Sequence, residues 1–223
     1  KVEPVSVAIS GGLYTMGYHG DSFSYDIERP EHKVFLNDYR IDVFPVTNGQ
    51  YLSFIEDGGY EDYKYWLSDG WDTVKKNNWQ SPMYWEKENG RWMICDFLGK
   101  RKINPNEPVC HVSFYEADAY CRWAGKRLPT EAEWEKAACW NETKMRKTIF
   151  PWGNESPTQK NANLLESYLW SCSEIGSYSD GKSSYGCYQM IGDVWEWTAS
   201  EFVGYPGFKT MIEIGRASCR ERV

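Results

Sequence analysis

The chain has 223 residues, enough for one sizeable domain, and its aromatic fraction of 17% is high, with 12 Trp and 16 Tyr. Its net charge of −7 excludes the basic composition that nucleic-acid binding requires. The sequence has no apolar run near the roughly 20 residues of a membrane span, so neither a nucleic-acid nor a membrane partner is expected.

Short strands are predicted near the start of the chain. Residues 5–18 alternate between apolar and polar side chains and break at a Gly-Gly pair that begins at Gly11, as a strand entering a hairpin would. Residues 32–47 indicate two further strands around a turn at Asn37 and Asp38. We therefore expect two turns that each join neighbouring strands.

Three helices are predicted from their capping residues. The first follows Thr47 and ends at a Gly-Gly pair. The second begins with a capping box of Ser113 and Glu116, and the third with one of Thr130 and Glu133. These polar side chains can satisfy backbone N–H groups that a helix start leaves unpaired, so they define where each helix begins.

Residues 60–108 are the least regular part of the sequence. Trp residues alternate there with turn residues, and the polar spacing does not fit a single core helix. A hairpin with its turn at Glu88–Gly90 is the clearest local element. We expect an irregular segment held by aromatic anchors, and a loop-rich chain again after Trp140.

The residues alone identify no catalytic motif. His19, His32 and His111 are too far apart for a local metal-binding motif, and we interpret them as structural hydrogen-bonding residues. The sequence has no GxSxG, phosphate-loop or dinucleotide-binding pattern. Taken together, the elements predict a single aromatic-rich α+β domain.

The cysteines include no CxxC pair, and the chain start lacks the layout of a signal peptide. We therefore expect reduced thiols in a cytoplasmic protein, packed mostly as small apolar residues. Because the chain begins without Met, we also expect that an upstream piece is missing. The cysteines are Cys95, Cys110, Cys121, Cys139, Cys172, Cys187 and Cys219.

Three stretches resemble the formylglycine-generating-enzyme domain, also called the sulfatase-modifying factor domain. They are residues 11–54, 112–138 and 186–200, and their segments RLPTEAEWE and GDVWEWT are highly specific to that superfamily. The resemblance covers nearly the whole chain. It implies a single α+β domain over residues 1–212, related to C-type lectins and with few regular elements.

A narrower resemblance is to the C-terminal domain of the sulfoxide synthases of ergothioneine biosynthesis, the hercynine oxygenases. It rests on FSYDIERPEH, FIEDGGYEDYKYWLSDGW, PMYWEKENGRW and PVCHVSFYEADAYCRWAG. It implies a non-haem iron(II) enzyme that uses O2 to join the sulfur of γ-glutamylcysteine or cysteine to hercynine as a sulfoxide. The related ovothiol and selenoneine synthases share this architecture, so the substrate type stays open.

In that family three histidines of an N-terminal DinB-like bundle hold the iron, and this sequence has no matching cluster. The resemblance therefore implies that the Fe(II) ligands lie outside this chain and that the chain alone is inactive. It assigns no catalytic residue here, and Cys187 is not interpreted as a catalytic thiol.

The resemblance also implies a set of calcium-binding positions, because formylglycine-type domains bind calcium through loop carbonyls and side chains. The matching positions are Asn163, Leu164, Gln189, Gly192, Val194 and Glu196. A second interpretation stays equally open, in which Gln189 and Glu196 only hydrogen-bond loop amides. We expect Trp195 and Trp197 to be core anchors with satisfied indole N–H groups.

Three functions are consistent with these resemblances. The chain is the substrate-side domain of an iron-dependent sulfoxide synthase, a formylglycine-generating oxidase acting on sulfatase cysteines, or a non-catalytic lectin-like ligand-binding module. Residues 57–71 favour the first, because they match the sulfoxide synthases better than the oxidases. Its partners would then be hercynine, a thiol donor and O2.

The last residues, 213–223, depart abruptly from the resemblance. They look like the in-frame translation of a sequencing-library adapter. We therefore expect a non-native tail on a domain that is truncated at its C-terminus. Cys219 and the Arg residues of this segment would then have no evolved role.

Overall fold

The computed structural model describes residues 5–210 and confirms the predicted α+β class. The expected non-native tail, with Cys219, lies outside the described residues. The α-helices are α1 (Asn48–Glu56), α2 (Ser68–Asn77), α3 (Phe114–Trp123) and α4 (Glu131–Cys139). All other described segments are short strands, 3-10 turns and loops, as expected for a loop-rich chain.

The first four strands form one interrupted antiparallel ribbon. β1 (Ser6–Ile9) pairs with β4 (Tyr39–Asp42), and β2 (Gly12–Met16) pairs with β3 (His32–Leu36). The register continues unchanged from one pair to the other. The two ladders are therefore halves of a single ribbon, which residues 17–31 close at one end.

The predicted strands are present, but the hairpin prediction at the Gly-Gly pair is wrong. β1 pairs with β4 and not with β2. The interruption between the two ladders lies at residues 10–11 on one side of the ribbon and at residues 37–38 on the other. There, the Gly11 N–H donates a hydrogen bond to the Asp38 carboxylate (2.7 Å). A Cβ on Gly11 would lie 2.3 Å from the Leu36 carbonyl oxygen, so only glycine fits this approach. Alternation predicts where strands lie but not which strands pair.

The ribbon packs against α4 to form the first core cluster. The Tyr39 hydroxyl donates to the Glu133 carbonyl (2.7 Å), and the Lys136 ammonium donates to the Ser10 carbonyl (2.6 Å). These two bonds attach α4 across the middle of the ribbon. The buried members include Ile9, Tyr14, Met16, Leu36, Ala137 and Met190.

The second core cluster lies between α1 and α3. The rings of Tyr51 and Tyr120 stack there with their centroids 5.5 Å apart. The buried carboxylate of Glu116 accepts hydrogen bonds from the Tyr60 hydroxyl (2.5 Å) and from the Ser113 N–H (2.7 Å). The same carboxylate therefore caps α3 and holds the segment after α1.

The three predicted helix starts are confirmed. Thr47, Ser113 and Thr130 each accept a hydrogen bond from the third helical N–H at 3.2–3.3 Å. In each case the side chain at that third position bonds back to the capping residue. The local sequence therefore determines where these helices begin.

Residues 60–108 are more regular than predicted. The hairpin turn at Glu88–Gly90 is confirmed between β5 (Trp85–Glu88) and β6 (Arg91–Asp96). A third strand, β7 (Gly99–Lys102), extends this sheet. Trp85 is buried against the sheet and anchors the third core cluster, as the aromatic-anchor prediction required.

Helix α2 was not expected in this segment. Its N-cap, Leu67, has no side-chain capping bond, and the helix contains a glycine. A Cβ on that glycine, Gly70, would lie 2.7 Å from the Cβ of Tyr115 on α3. The glycine therefore allows α2 and α3 to approach closely.

After α4 come the short pair β8 (Trp140–Asn141) and β9 (Arg146–Lys147), and then mostly loop. None of the helices within residues 5–210 is long and apolar enough to cross a membrane. The six cysteines of this range are free thiols, of which Cys121 and Cys187 are buried and Cys95 is exposed.

Candidate functional site

The loop before the WEW segment is organised around the side chain of Asp193. Its Oδ1 accepts hydrogen bonds from the Ser173 N–H (2.7 Å) and from Asn163 Nδ2 (2.8 Å). Its Oδ2 accepts a hydrogen bond from Gln189 Nε2 (2.8 Å). We call Asn163, Ser173, Gln189, Gly192 and Asp193 the Asp193 hub, because one carboxylate joins three separate stretches of loop.

Gly192 brings the hub backbone together. Its φ of +85° lies in the left-handed region, and a Cβ here would be 2.5 Å from the Asn163 carbonyl oxygen. That carbonyl accepts the N–H of Asp193 at 3.1 Å. Only glycine therefore allows this contact between the two loops.

The side chain of Gln189 is buried, with 2% of its surface exposed. Its Oε1 accepts a hydrogen bond from the Gly176 N–H (2.8 Å), and its Nε2 donates to Asp193. Both ends of the amide are therefore bonded within the protein. This is the role that the hydrogen-bonding interpretation expected for Gln189.

The hub brings together three of the predicted calcium-binding positions, Asn163, Gln189 and Gly192. Leu164 and Val194 adjoin them in the chain, and the Val194 N–H donates to the Gly192 carbonyl (2.7 Å). Loop carbonyls and carboxylates are the ligands that calcium prefers, so calcium binding beside the hub stays a prediction.

Asp193 is the central residue that the sequence prediction missed. The expected ligands on either side of it, Gly192 and Val194, have only main-chain oxygens to offer a cation. A carboxylate between two such positions, in the GDVWEW segment, is the signal that could have identified it.

The carboxylate of Glu196 contacts Trp134 of α4. Its Oε2 accepts a hydrogen bond from the indole Nε1 of Trp134 (3.2 Å). Desolvation raises the pKa of the carboxyl to about 7, and the bond from Trp134 acts in the opposite direction. The residue as a whole is nevertheless exposed to solvent.

The core-anchor prediction is wrong for Trp195, which is fully exposed at 102%. Trp197 is 48% exposed, and its indole N–H is satisfied as predicted, because it donates to the Val112 carbonyl (3.0 Å). Its ring also packs edge-on against Phe114 with centroids 6.0 Å apart. The aromatic residue type favoured burial for both, but within residues 5–210 only Trp197 has a ring or hydrogen-bond partner.

This segment exposes several large apolar side chains. Phe202 and Val203 are 72% and 65% exposed, a few residues after Trp195. We call Trp195, Trp197, Phe202 and Val203 the WEW surface. Where exposed apolar side chains form a contiguous patch, the patch can mark a place where another protein surface binds.

The described residues do not fit an iron(II) centre. Among residues 5–210, no group of three or more His, Cys, Asp or Glu side chains is placed to hold a metal ion. His32 packs on Tyr205 with ring centroids 4.6 Å apart, and its Nδ1 lies 3.2 Å from a carbonyl oxygen. His111 packs edge-on against Tyr84 at 4.9 Å. His32 therefore has a structural hydrogen-bonding contact, as predicted, whereas the contact of the His111 side chain is with an aromatic ring.

The thiols of Cys139 and Cys187 are unsuited to nucleophilic chemistry. Burial raises the pKa of Cys187 to about 11 and that of Cys139 to about 12. At neutral pH very little of either cysteine is the reactive thiolate. That Cys187 has no catalytic role stays a prediction.

The chain matches the family of the sulfatase-modifying factor enzyme 1-like domain over residues 1–223. It is 40% identical over 213 residues to the hercynine oxygenase of Mycolicibacterium smegmatis, covering 95% of this chain and 49% of that protein. It is 43% identical over 189 residues to the hercynine oxygenase of Mycobacterium tuberculosis, covering 85% of this chain and 44% of the relative. The chain thus spans about half the length of these two relatives.

A second group of relatives carries the other function predicted from the resemblance. The chain is 33% identical over 217 residues to the formylglycine-generating enzyme of Thermomonospora curvata, covering 86% of this chain and 70% of that enzyme. The family match extends over the whole chain, and both groups of relatives agree with it. The chain therefore belongs to the family of the sulfatase-modifying factor enzyme 1-like domain.

Proposed function

We propose that this chain is the substrate-side domain of a non-haem iron(II), O2-dependent sulfoxide synthase of ergothioneine biosynthesis. The enzyme joins a cysteine-type thiol, γ-glutamylcysteine or cysteine, to hercynine. The observation that carries the proposal is the 40% identity to a hercynine oxygenase over 95% of this chain. Residues 57–71, which favoured this class in the sequence, form the turns between α1 and α2 and the first residues of α2, and α2 packs on α3 at Gly70.

The domain's own residues would position the substrates and leave the redox chemistry to another part of the enzyme. Iron(II), when bound there, would supply the activation of O2. Residues 5–210 do not fit the iron, so we assign its ligands to the half of the enzyme that this chain does not match. The chain alone is then expected to be inactive.

The WEW surface is the place where that second half would contact this domain. Its four side chains are exposed, and the first relatives are about twice as long as this chain. Covering such a surface would remove apolar area from water and stabilise the contact between the two halves.

A chimeric enzyme tests this function directly. Residues 5–210 would replace the matching segment of the Mycolicibacterium smegmatis hercynine oxygenase, whose remaining half is kept unchanged. We expect the purified chimera to form the sulfoxide from hercynine and a cysteine-type thiol, measured by mass spectrometry, with matching O2 consumption. A chimera that folds by circular dichroism and yields no sulfoxide, while the parent enzyme does, would refute the proposal.

The matched control carries the corresponding segment of the Thermomonospora curvata enzyme instead. It also addresses the second candidate, a formylglycine-generating oxidase, which the 33% identity over 86% of this chain favours. We expect this control chimera to fold without forming the sulfoxide. Equal sulfoxide formation by both chimeras would show that the assay does not distinguish the two classes.

We further propose that calcium has a structural role beside the Asp193 hub. Main-chain oxygens of Leu164, Gly192 and Val194 and the carboxylate of Glu196 would be its ligands, because the amide of Gln189 is already bonded. A cytoplasmic location is also proposed, since the six described cysteines are free thiols and such thiols persist in reducing compartments.

A further inference from the structure

The chain contains two Asn-Gly pairs, Asn48 with Gly49 and Asn89 with Gly90, and the two pairs lie in different surroundings. The second pair is the two-residue turn that joins β5 to β6. Asn89 and Gly90 both have left-handed backbone, with φ of +48° and +76°, as a type I′ hairpin turn requires. Both residues are exposed. This Asn-Gly pair therefore lies at the tip of a hairpin, in contact with water.

The turn leaves the reactive groups of this pair open. Asparagine is one of the chemically labile residues, and a following glycine lacks the side chain that would hinder attack on the amide. Among residues 5–210, neither the Asn89 side chain nor the Gly90 N–H has a hydrogen-bond partner. A Cβ on Gly90 would meet no atom within 4 Å. The backbone of the tip can therefore rotate until the Gly90 nitrogen reaches Cγ of Asn89, at a small cost in free energy.

The first pair, Asn48 with Gly49, is held at the start of α1. The Gly49 N–H donates to the Pro105 carbonyl (3.0 Å), so the nitrogen that would attack is occupied. Asn48 is 1% exposed, and its Nδ2 donates to the Asn104 carbonyl (3.0 Å). A reaction at Asn48 would require the start of α1 to open, which costs much more free energy than rotation at a turn tip.

We propose that Asn89 is a site of spontaneous deamidation, at which water converts the side-chain amide of the folded protein to a carboxylate. The Gly90 N–H loses its proton to base, and the nitrogen attacks Cγ of Asn89. The C–N bond of a succinimide ring forms, the C–N bond of the side-chain amide breaks, and ammonia leaves with the proton returned to it. Water then opens the ring at either carbonyl, which yields aspartate or isoaspartate. One water is consumed, one ammonia is released, and nothing is oxidised or reduced.

The two products affect the hairpin differently. Aspartate adds a negative charge next to Glu88, which already shares the Lys100 ammonium with Glu86. Isoaspartate also passes the main chain through the former side chain, which adds a methylene group to a turn of only two residues and disturbs the register of β5 and β6. Since β5 carries Trp85, the anchor of the third core cluster, the isoaspartate form is the less stable product, whatever reaction the full-length enzyme performs.

The test incubates the full chain in mildly alkaline buffer made with heavy-oxygen water and maps the peptides by chromatography and mass spectrometry. We expect the Asn89 amide to be replaced by a carboxylate that carries the heavy oxygen, in separable aspartate and isoaspartate forms. The rate should rise with pH, because the Gly90 nitrogen must lose its proton before it attacks. Asn48 should react at least about a hundredfold more slowly, because the start of α1 rarely opens.

Two controls separate the effect of structure from that of sequence. In guanidinium chloride both Asn-Gly pairs should react at similar rates, because unfolding removes the bonds that protect Asn48. Asn89→Gln lengthens the side chain and should nearly abolish the signal at this position, with far-UV circular dichroism confirming the fold. Equal rates at Asn48 and Asn89 in the folded chain would overturn the proposal. So would an Asn89 amide that stays intact in the folded chain while the unfolded chain reacts.

Discussion

Trp195 and Trp197 are two positions apart in the sequence but differ in their exposure to solvent and in their contacts. Trp195 is fully exposed, whereas Trp197 contacts Phe114 and donates its indole N–H to the Val112 carbonyl. Because stability depends on contacts rather than on residue type, the two side chains should contribute unequally to the free energy of unfolding.

Alanine substitutions measure this difference. Trp195→Ala should change the free energy of unfolding by no more than about 0.5 kcal/mol, and Trp197→Ala should lower it by about 1–3 kcal/mol. Urea unfolding followed by far-UV circular dichroism is suitable, since it does not depend on tryptophan emission. Equal losses would mean that Trp195 is covered in solution.

At the scale of elements, α2 shows how a tertiary contact can select a residue that disfavours a helix. Gly70 costs about 1 kcal/mol of helix propensity relative to Ala. In return it allows α2 to approach Tyr115 on α3, where a Cβ would be only 2.7 Å away. The packing of α2 on α3 therefore depends on the missing side chain.

We predict that Gly70→Ala destabilises the protein by about 1–2 kcal/mol, because the overlap with Tyr115 outweighs the gain in helix propensity. The measurement is the midpoint and slope of urea unfolding. Asp72→Ala, on the exposed side of the same helix, is the matched control and should be nearly neutral.

The double variant Gly70→Ala with Tyr115→Ala tests the cause. If the overlap is responsible, the cost of Gly70→Ala should nearly vanish in the Tyr115→Ala background, a coupling of about 1–2 kcal/mol. If Gly70→Ala lowers the free energy of unfolding by the same amount in both backgrounds, the loss of stability arises within the helix itself.

The helices that the sequence predicted share one property that α2 lacks. Thr47, Ser113 and Thr130 are capping residues whose effect is local, so their helices could be located from a few neighbouring residues. Helix α2 begins after Leu67, without a side-chain cap, and is defined by its contact with α3. That contact joins residues far apart in sequence, which periodicity cannot reveal.

As with the helices, part of the candidate site was predicted from the sequence and part was missed. Asn163, Gln189 and Gly192 were named from the family resemblance, and they do meet in space. Asp193 was missed because its role comes from three loops that converge on one carboxylate. The exposure of Trp195 was also missed, since residue type carries no information about neighbouring elements.

At the scale of the whole molecule, the loops after α4 carry little regular structure and depend on the hub for their arrangement. A calcium ion beside the hub would add to that arrangement by linking main-chain oxygens to Glu196. Since calcium would bind the folded protein and not the unfolded chain, it should raise the melting temperature.

We predict that millimolar calcium raises the melting temperature of the wild-type chain above its value in a chelator, measured by differential scanning calorimetry. Glu196→Gln removes the only carboxylate among the proposed ligands and should greatly reduce the shift. Magnesium at the same concentration is the control for general ionic effects. If calcium does not change the melting temperature of the wild-type protein, the calcium proposal is wrong and the hub is held by hydrogen bonds alone.

The interrupted ribbon of the first four strands has a consequence for the order of folding. The inner pair, β2 with β3, encloses only residues 17–31, so its closure costs less chain entropy than direct pairing of β1 with β4. Once it forms, the outer strands are already aligned, because both halves share one register. We expect the ribbon to close from the loop outward, so that its inner half acts as the template that prevents a one-residue slip of the outer half.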